Sequence, residues 1–153
     1  MNRLRSTFVV VCTCVLLSTG LQAQQAPAAA EKTLFERLGG MPAIEAVAND
    51  LVDRILADGR VSAWFAHAAS TPENTAAYKA KLASFLCQTT GGPCKYTGQD
   101  MVTAHRGRNV TSGAFDAVVE DAVATLDKLK VPAREKQEVL AALGPLKSSI
   151  VQR

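Results

Sequence analysis

At 153 residues and 48% hydrophobic content, the chain has material for one domain built around a single core. The formal charge of +3 includes Arg3 and Arg5 near the N-terminus; without them, 15 basic side chains stand against 14 acidic ones. That balance excludes the clustered basic surface on which nucleic-acid binding depends.

Residues 1–23 read as an export signal. Arg3 and Arg5 form a short positive region, Phe8 to Leu17 is an apolar run interrupted only by Thr13, and Leu21-Gln22-Ala23 suits cleavage after a small residue. The run is too short to cross a bilayer comfortably, so no stable membrane span is expected once the signal is removed. An exported, periplasmic protein follows from this reading. Residues 24–32, with Pro27 and several alanines, form a linker, and the folded domain is expected over 33–153.

Helical periodicity dominates that domain. Gly39-Gly40 lead into Met41-Pro42, and proline suits the first turn of a helix. Ile44, Val47, Ala48, Leu51, Ile55 and Leu56 then mark one apolar face, and Asp58-Gly59 stops it. A short segment holds Trp64 and Phe65. Ser70-Thr71-Pro72-Glu73 opens the next helix with Ser70 as its expected cap. Tyr78, Leu82, Phe85, Leu86 and Thr89 share one side of it until Gly91-Gly92-Pro93 ends it. Residues 93–100 read as an irregular loop, and a short helical piece carries Met101 and His105 as far as Gly107. Thr111 caps a helix whose apolar positions are Phe115, Val118, Val119, Ala122, Val123, Leu126 and Leu129. Pro132 opens the last helix, with Val139, Leu140, Leu143, Leu146 and Ile150 inward and a kink at Pro145. The expected fold class is all-α: four substantial helices and small connecting pieces, packed helix on helix.

Cys12 and Cys14 lie within the signal. Cys87 and Cys94 bracket Gly91-Gly92-Pro93, a turn that can bring the two sulfurs together in an oxidising compartment. The alternative is one buried thiol and one exposed thiol.

Histidine is scarce, with only His67 and His105. Two histidines and two cysteines match no familiar zinc spacing, and a Cys-x-x-Cys-His haem attachment is absent. Non-covalent haem asks for less: one imidazole on the iron and a dry apolar pocket around the ring. His105, behind a glycine-rich loop and between two apolar helices, can supply the imidazole. A capping or solvent-facing histidine is the plainer alternative, and His67 reads as an exposed loop residue.

From about Leu34 to Val151 the chain resembles the group I truncated haemoglobins. The residues carrying the likeness are Leu34-Phe35-Glu36-Arg37-Leu38-Gly39-Gly40, Phe65 after Asp58-Gly59, and Gly91-Gly92-Pro93. They continue through Tyr96-Thr97-Gly98, Met101, His105, Gly107, Phe115 and Val131-Pro132. The resemblance implies a truncated globin, a two-over-two helical sandwich with a very short first helix, binding haem b. It implies His105 as the proximal iron ligand and Phe65 on the porphyrin face. Tyr96 and Met101 would lie near the proximal loop and ring edge, with Phe85, Leu86, Phe115, Val118, Leu140 and Leu143 as apolar pocket positions.

The distal side departs from that family's pattern. Many members carry a Phe-Tyr pair on the helix after the first glycine motif; here the matching residues are Leu51-Val52, and neither can donate a hydrogen bond. Counting back from Gly91-Gly92 brings Tyr78 near the ring, with Leu82 where relatives often have glutamine. Tyr78 is the candidate replacement donor; its alternative is an amphipathic tyrosine at the domain edge. Lys79 or Lys81 can pair with a haem propionate, and a deprotonated lysine can also serve as a sixth ligand. The function expected is binding of O2, NO or CO at an iron held by His105, with an electron donor the sequence does not identify. A haem enzyme, either a nitric-oxide dioxygenase or a weak peroxidase, and a cofactor-free helical interaction module are the rivals.

Overall fold

The computed structural model describes residues 31–152; the expected signal and most of the linker lie outside them. Helix α1, Leu34–Leu38, is a single turn. It exists because Thr33 and Glu36 cap each other: the Thr33 hydroxyl accepts from the Glu36 amide at 3.2 Å, and the Glu36 carboxylate accepts from the Thr33 amide at 2.8 Å. Gly39 and Gly40 then reverse the chain at φ of 107° and 72°, a region that disfavours residues with a Cβ.

Helix α2, Met41–Ala57, is the spine of the domain. Ile44, Val47, Ala48, Leu51, Val52 and Ile55 are its buried residues, a stripe at helical spacing. Val52 takes a fully buried place, whereas Leu56 is only half-buried. A 3-10 turn, Ser62–Phe65, follows, and then α3, Pro72–Thr89. The cap of α3 is Thr71 and not Ser70: the Thr71 hydroxyl accepts from the Asn74 amide at 3.1 Å, while the Ser70 hydroxyl turns back to donate to the His67 carbonyl.

The short α4, Met101–His105, is started by Asp100, whose carboxylate accepts from the Thr103 amide at 2.9 Å. Helix α5, Ser112–Lys128, is capped by Thr111 as expected. Leu129 stands just past its end and is exposed. The last expected helix is broken and not merely kinked. Helix α6, Ala133–Leu143, gives way to a 3-10 turn at Gly144–Leu146 and a final turn α7, Lys147–Ile150. Gly144 beside Pro145 combines the two residues least suited to a helix interior.

Helix α2 packs on α3 and on α5, α5 on α6, and α4 on α7, which gives two layers of two principal helices. The core has two clusters joined by α2. Ile44, Val47 and Ala48 pack with Ala83, Leu86, Cys87, Leu126 and Val139, while Leu51 and Ile55 pack with Val61, Val110, Ala114, Ala117 and Ala122. Among the described residues, no helix is long and apolar enough to cross a membrane.

Three polar links fix the layers. Arg37 of α1 meets Glu135 of α6 at 3.0 Å and also reaches Glu138. Asp50 of α2 accepts from Arg54 at 2.7 Å, from the buried Thr125 of α5 at 2.9 Å, and from Lys128. Burial raises the Asp50 pKa, but the bonds from Lys128, Arg54 and Thr125 together outweigh it and bring the group from 3.8 to about 2. The third link is covalent, between Cys87 of α3 and Cys94 of the following loop.

Because the Asp50 carboxylate is more acidic folded than unfolded, its contribution is complete above pH 3.8 and lost as pH falls towards about 2. The thermal midpoint of the parent should therefore drop more steeply across that window than that of Asp50→Asn; parallel curves would contradict the assignment. Replacing Cys87 and Cys94 with serine should cost about 2–3 kcal/mol, the loop entropy released by opening so short a ring. Urea unfolding with and without dithiothreitol measures it: the reduced parent should match the double variant, and an unmoved parent midpoint would count against the bond.

Candidate functional site

Large apolar side chains that are only half-buried call for a reason, and here they share one. Phe65, Tyr78, Leu82, Phe85, Met101, Phe115, Val118 and Leu143 all line a single cavity of about 450 Å³. They come from the 3-10 turn, α3, α4, α5 and α6, so the space lies where the two layers fail to close on each other. Its inner wall is buried: Val47, Leu51 and Ile55 of α2, Val61, and Ala114 of α5. The exposed Lys81, His67, Gln99 and Arg108 mark its mouth.

His105 also lines the cavity. Its Nδ1 lies 2.8 Å from the Met101 carbonyl, one helical turn back. A carbonyl can only accept, so Nδ1 carries a proton; of the two neutral tautomers the bond selects the one whose Nε2 lone pair is free. Asp100 caps α4 and so sets the register that places Met101 and His105 one turn apart. An imidazole oriented in this way is prepared to hold a metal.

The loop before α4 is pinned to α3 at three points. The Cys87–Cys94 disulfide is one. The Tyr96 amide donates to the Gln88 side chain at 2.8 Å, and the Tyr96 ring meets Phe85 edge-on with centroids 5.4 Å apart. Two glycines permit this. A Cβ on Gly92 would come within 2.6 Å of Phe35 and 2.7 Å of the Cys87 sulfur, and one on Gly98 within 2.1 Å of the Tyr96 hydroxyl. The Tyr96 hydroxyl donates to the Gln99 carbonyl at 3.2 Å.

Tyr78 presents its ring edge-on to Phe65, with centroids 5.7 Å apart and an interplanar angle of 64°. Burial pushes its phenol up to about 12; Tyr96 adds to the shift and Arg108 opposes it. Lys79 is drawn away to Asp53 of α2 at 2.6 Å, which leaves Lys81 as the lysine at the mouth. His67 is an exposed residue there, as expected. Leu51 lines the wall without donating, and Val52 is buried in the core. Leu140, expected in the pocket, packs instead against both core clusters.

Sequence reasoning did not reach several lining residues and their supports. The Trp64 indole donates to the Arg108 carbonyl at 3.0 Å, and the Arg108 side chain donates to the Ala104 carbonyl at 2.7 Å. Gln152 grips the same turn twice, donating from its amide to the Val110 carbonyl and accepting from the Asn109 amide, both at 2.9 Å. The Trp64 and Gln152 contacts join residues more than forty apart in the chain, and no local pattern signals them.

The wall chemistry fits a broad, flat, largely apolar ring with acidic groups at its edge. Lys81 and Arg108 stand where such acids would emerge, no carboxylate lines the cavity, and Nε2 of His105 is the group suited to a central metal. Such a ring would cover the apolar side chains that the two layers leave open.

A family described as bacterial-like globin matches residues 33–152. The chain is 33% identical over 118 residues to a group 1 truncated hemoglobin, GlbN, from Mycolicibacterium paratuberculosis, covering 77% of this chain and 83% of that one. It is 34% identical over 116 residues to the group 1 truncated hemoglobin GlbN of Synechocystis, covering 73% and 90%. Among solved structures, truncated hemoglobin from Tetrahymena pyriformis in its Fe(III) form superposes with a TM-score of 0.70 at 30% identity, covering 80% of this chain and all of that one. The 2/2 hemoglobin from Synechococcus, in the cyanomet state with covalently attached heme, gives 0.71 at 28% identity with the same coverage.

The orientation of His105 can be checked on the protein without any added group. Nitrogen NMR of the neutral ring should show the Nδ1–H tautomer, and His105 in the Nε2–H form would contradict the bond to Met101.

Proposed function

The chain belongs to the bacterial-like globin family, among its group I truncated haemoglobins, and from that premise we propose that it holds its haem iron through Nε2 of His105. It is a haem-binding haemoglobin for diatomic ligands such as O2. The observation that carries the assignment is one imidazole, fixed by its own helix, facing a cavity walled by half-buried apolar side chains. When bound, haem supplies an iron atom at which a diatomic gas can be held reversibly.

The chain's own residues supply the rest. Met101 keeps the lone pair of His105 free and sets the ring's direction. Phe65, Phe115 and Val118 line the cavity and would present apolar surface to the porphyrin and keep water from the iron. Phe85 and Tyr96 brace each other at the proximal loop. Lys81 and Arg108, exposed at the mouth, would be the residues to pair with the carboxylates of the ring, contacts worth about 1 kcal/mol or less each in so exposed a place. NO and CO belong to the same ligand class as O2, and an external electron donor would keep the iron ferrous.

We further propose that the protein is exported and works in the periplasm. Arg3, Arg5 and the apolar run after them support this reading, and so does a disulfide between Cys87 and Cys94, which persists where the surroundings are oxidising.

Absorption spectra of the purified chain with and without added haem test the central assignment. The parent should give a ferrous-CO Soret band that His105→Ala loses or displaces and that added imidazole restores. A variant spectrum identical to that of the parent would remove His105 from the iron.

A further inference from the structure

We propose that Tyr78, presented from α3, is the hydrogen-bond donor that meets a diatomic ligand in the pocket and sets this chain's preference among such ligands. The proposal rests on the haem assignment above and deepens it. It begins from an accounting of donors around the cavity. The α2 wall offers Val47, Leu51 and Ile55, none of which can donate.

Most of the polar groups that line the cavity already have partners or stand in water. The Trp64 indole is spent on the Arg108 carbonyl, the Tyr96 hydroxyl on the Gln99 carbonyl, and Nδ1 of His105 on the Met101 carbonyl. The Arg108 Nε is spent on the Ala104 carbonyl, and its side chain is exposed, as are those of Lys81, His67 and Gln99. Of these donors, the Tyr78 hydroxyl alone belongs to a half-buried side chain and has no hydrogen-bond partner among the described residues. A ligand that accepts from it where water is displaced gains a bond that no other lining group is free to make.

The geometry suits the task. Tyr78 and Leu82 lie one turn apart on α3, so both face the cavity, and the contact with Phe65 steadies the phenol ring. Helix α3 packs against α2 and α4 packs against α7, so Tyr78 and His105 reach the cavity from different supports. A phenol pushed up to about 12 also stays protonated at ordinary pH, so it donates and does not compete as an anion for the iron.

Selectivity follows from where charge goes. O2 gains negative charge at its outer atom on binding to ferrous iron and becomes a strong acceptor, whereas CO gains little. One neutral donor in an otherwise apolar pocket therefore favours O2 over CO.

The experiment uses the haem-loaded ferrous protein, parent and Tyr78→Phe, with O2 dissociation followed by stopped flow and the C–O stretch of the CO complex read by infrared. The Soret band and thermal midpoint of each protein are recorded alongside. Removing the hydroxyl should speed O2 loss by roughly 10- to 100-fold, the range for a hydrogen bond to a charged acceptor, with CO loss changed by less than about threefold. The C–O stretch should move to higher frequency, and Tyr78→Gln, which returns a donor, should slow O2 loss again relative to Tyr78→Phe. Unchanged O2 loss and an unchanged stretch in a variant that keeps the parent's Soret band would overturn the role of Tyr78 and leave the haem assignment standing. Loss of haem from Tyr78→Phe would make the residue a support of the ring and overturn the proposal equally. A parent that takes up no haem would overturn both.

Discussion

An apolar cavity of about 450 Å³ between two helical layers requires that the elements around it be held apart, since close packing would otherwise favour their contact. What resists closure here is the short connection from α3 to α4. It is pinned by the Cys87–Cys94 bond, by Gln88 on the Tyr96 amide and by the edge-on contact of Phe85 with Tyr96. The glycine motif at its start lets the Phe35 side chain approach from the first turn of the domain, and the Phe35 amide donates to the Thr90 carbonyl at 2.8 Å. The two glycine turns thus meet around one phenylalanine. A frame closed at that point can leave a gap elsewhere without the layers sliding together.

The orientation of His105 is the second product of the same frame. A five-residue helix has little stability of its own, since nucleation is costly and few of its hydrogen bonds are internal. It is held from outside at both ends. Asp100 caps its start, a contact worth about 1 kcal/mol. Beyond its end, Trp64, Arg108 and Gln152 fix the turn that leads to α5. Helix α7, tied to α5 through Lys147 and Asp116 at 2.6 Å, packs against the same short helix. The break at Gly144-Pro145 that shortens α6 is what frees α7 to reach it.

Much of this frame could be read in the sequence, and the failures share a physical cause. The principal helices follow from apolar periodicity, and the glycine motifs follow from turns that tolerate no Cβ. The cap of α3 was misplaced by one residue, because Ser70 and Thr71 are both suitable donors of a capping oxygen. Only the fold shows that Ser70 is occupied with the His67 carbonyl. Pro145 breaks its helix because Gly144 precedes it, a joint effect that the proline alone does not reveal. The turn that follows His105 is held by Trp64 and Gln152, whose contacts span distances in the chain that periodicity cannot see. That Phe65, Tyr96, Met101 and His105 would gather was legible, because the resemblance covers the loop, the histidine and Phe65 together, and all four line one cavity. Leu140 was not: it shares a helix face and both core clusters with Leu143, and only Leu143, one turn further on, reaches the cavity.

The same comparison explains where polarity can survive in the pocket. In the pattern the resemblance implies, the helix after the first glycine turn carries a tyrosine; here Leu51 and Val52 stand there, exposed by only 6% and 0%. Their burial keeps this stretch of α2's inward face apolar between the two core clusters, and a donor added there would need desolvation inside the core. Helix α3 meets that demand at Ala83, Leu86 and Cys87, but at Tyr78 it borders the cavity. A polar group on α3 keeps a route to a partner, whether ligand or solvent, so the polar role is cheapest there. On the role proposed for Tyr78, the apolar residues on α2 and the tyrosine on α3 would be two sides of one arrangement: packing takes the spine, and the polar task falls to the helix that borders the cavity.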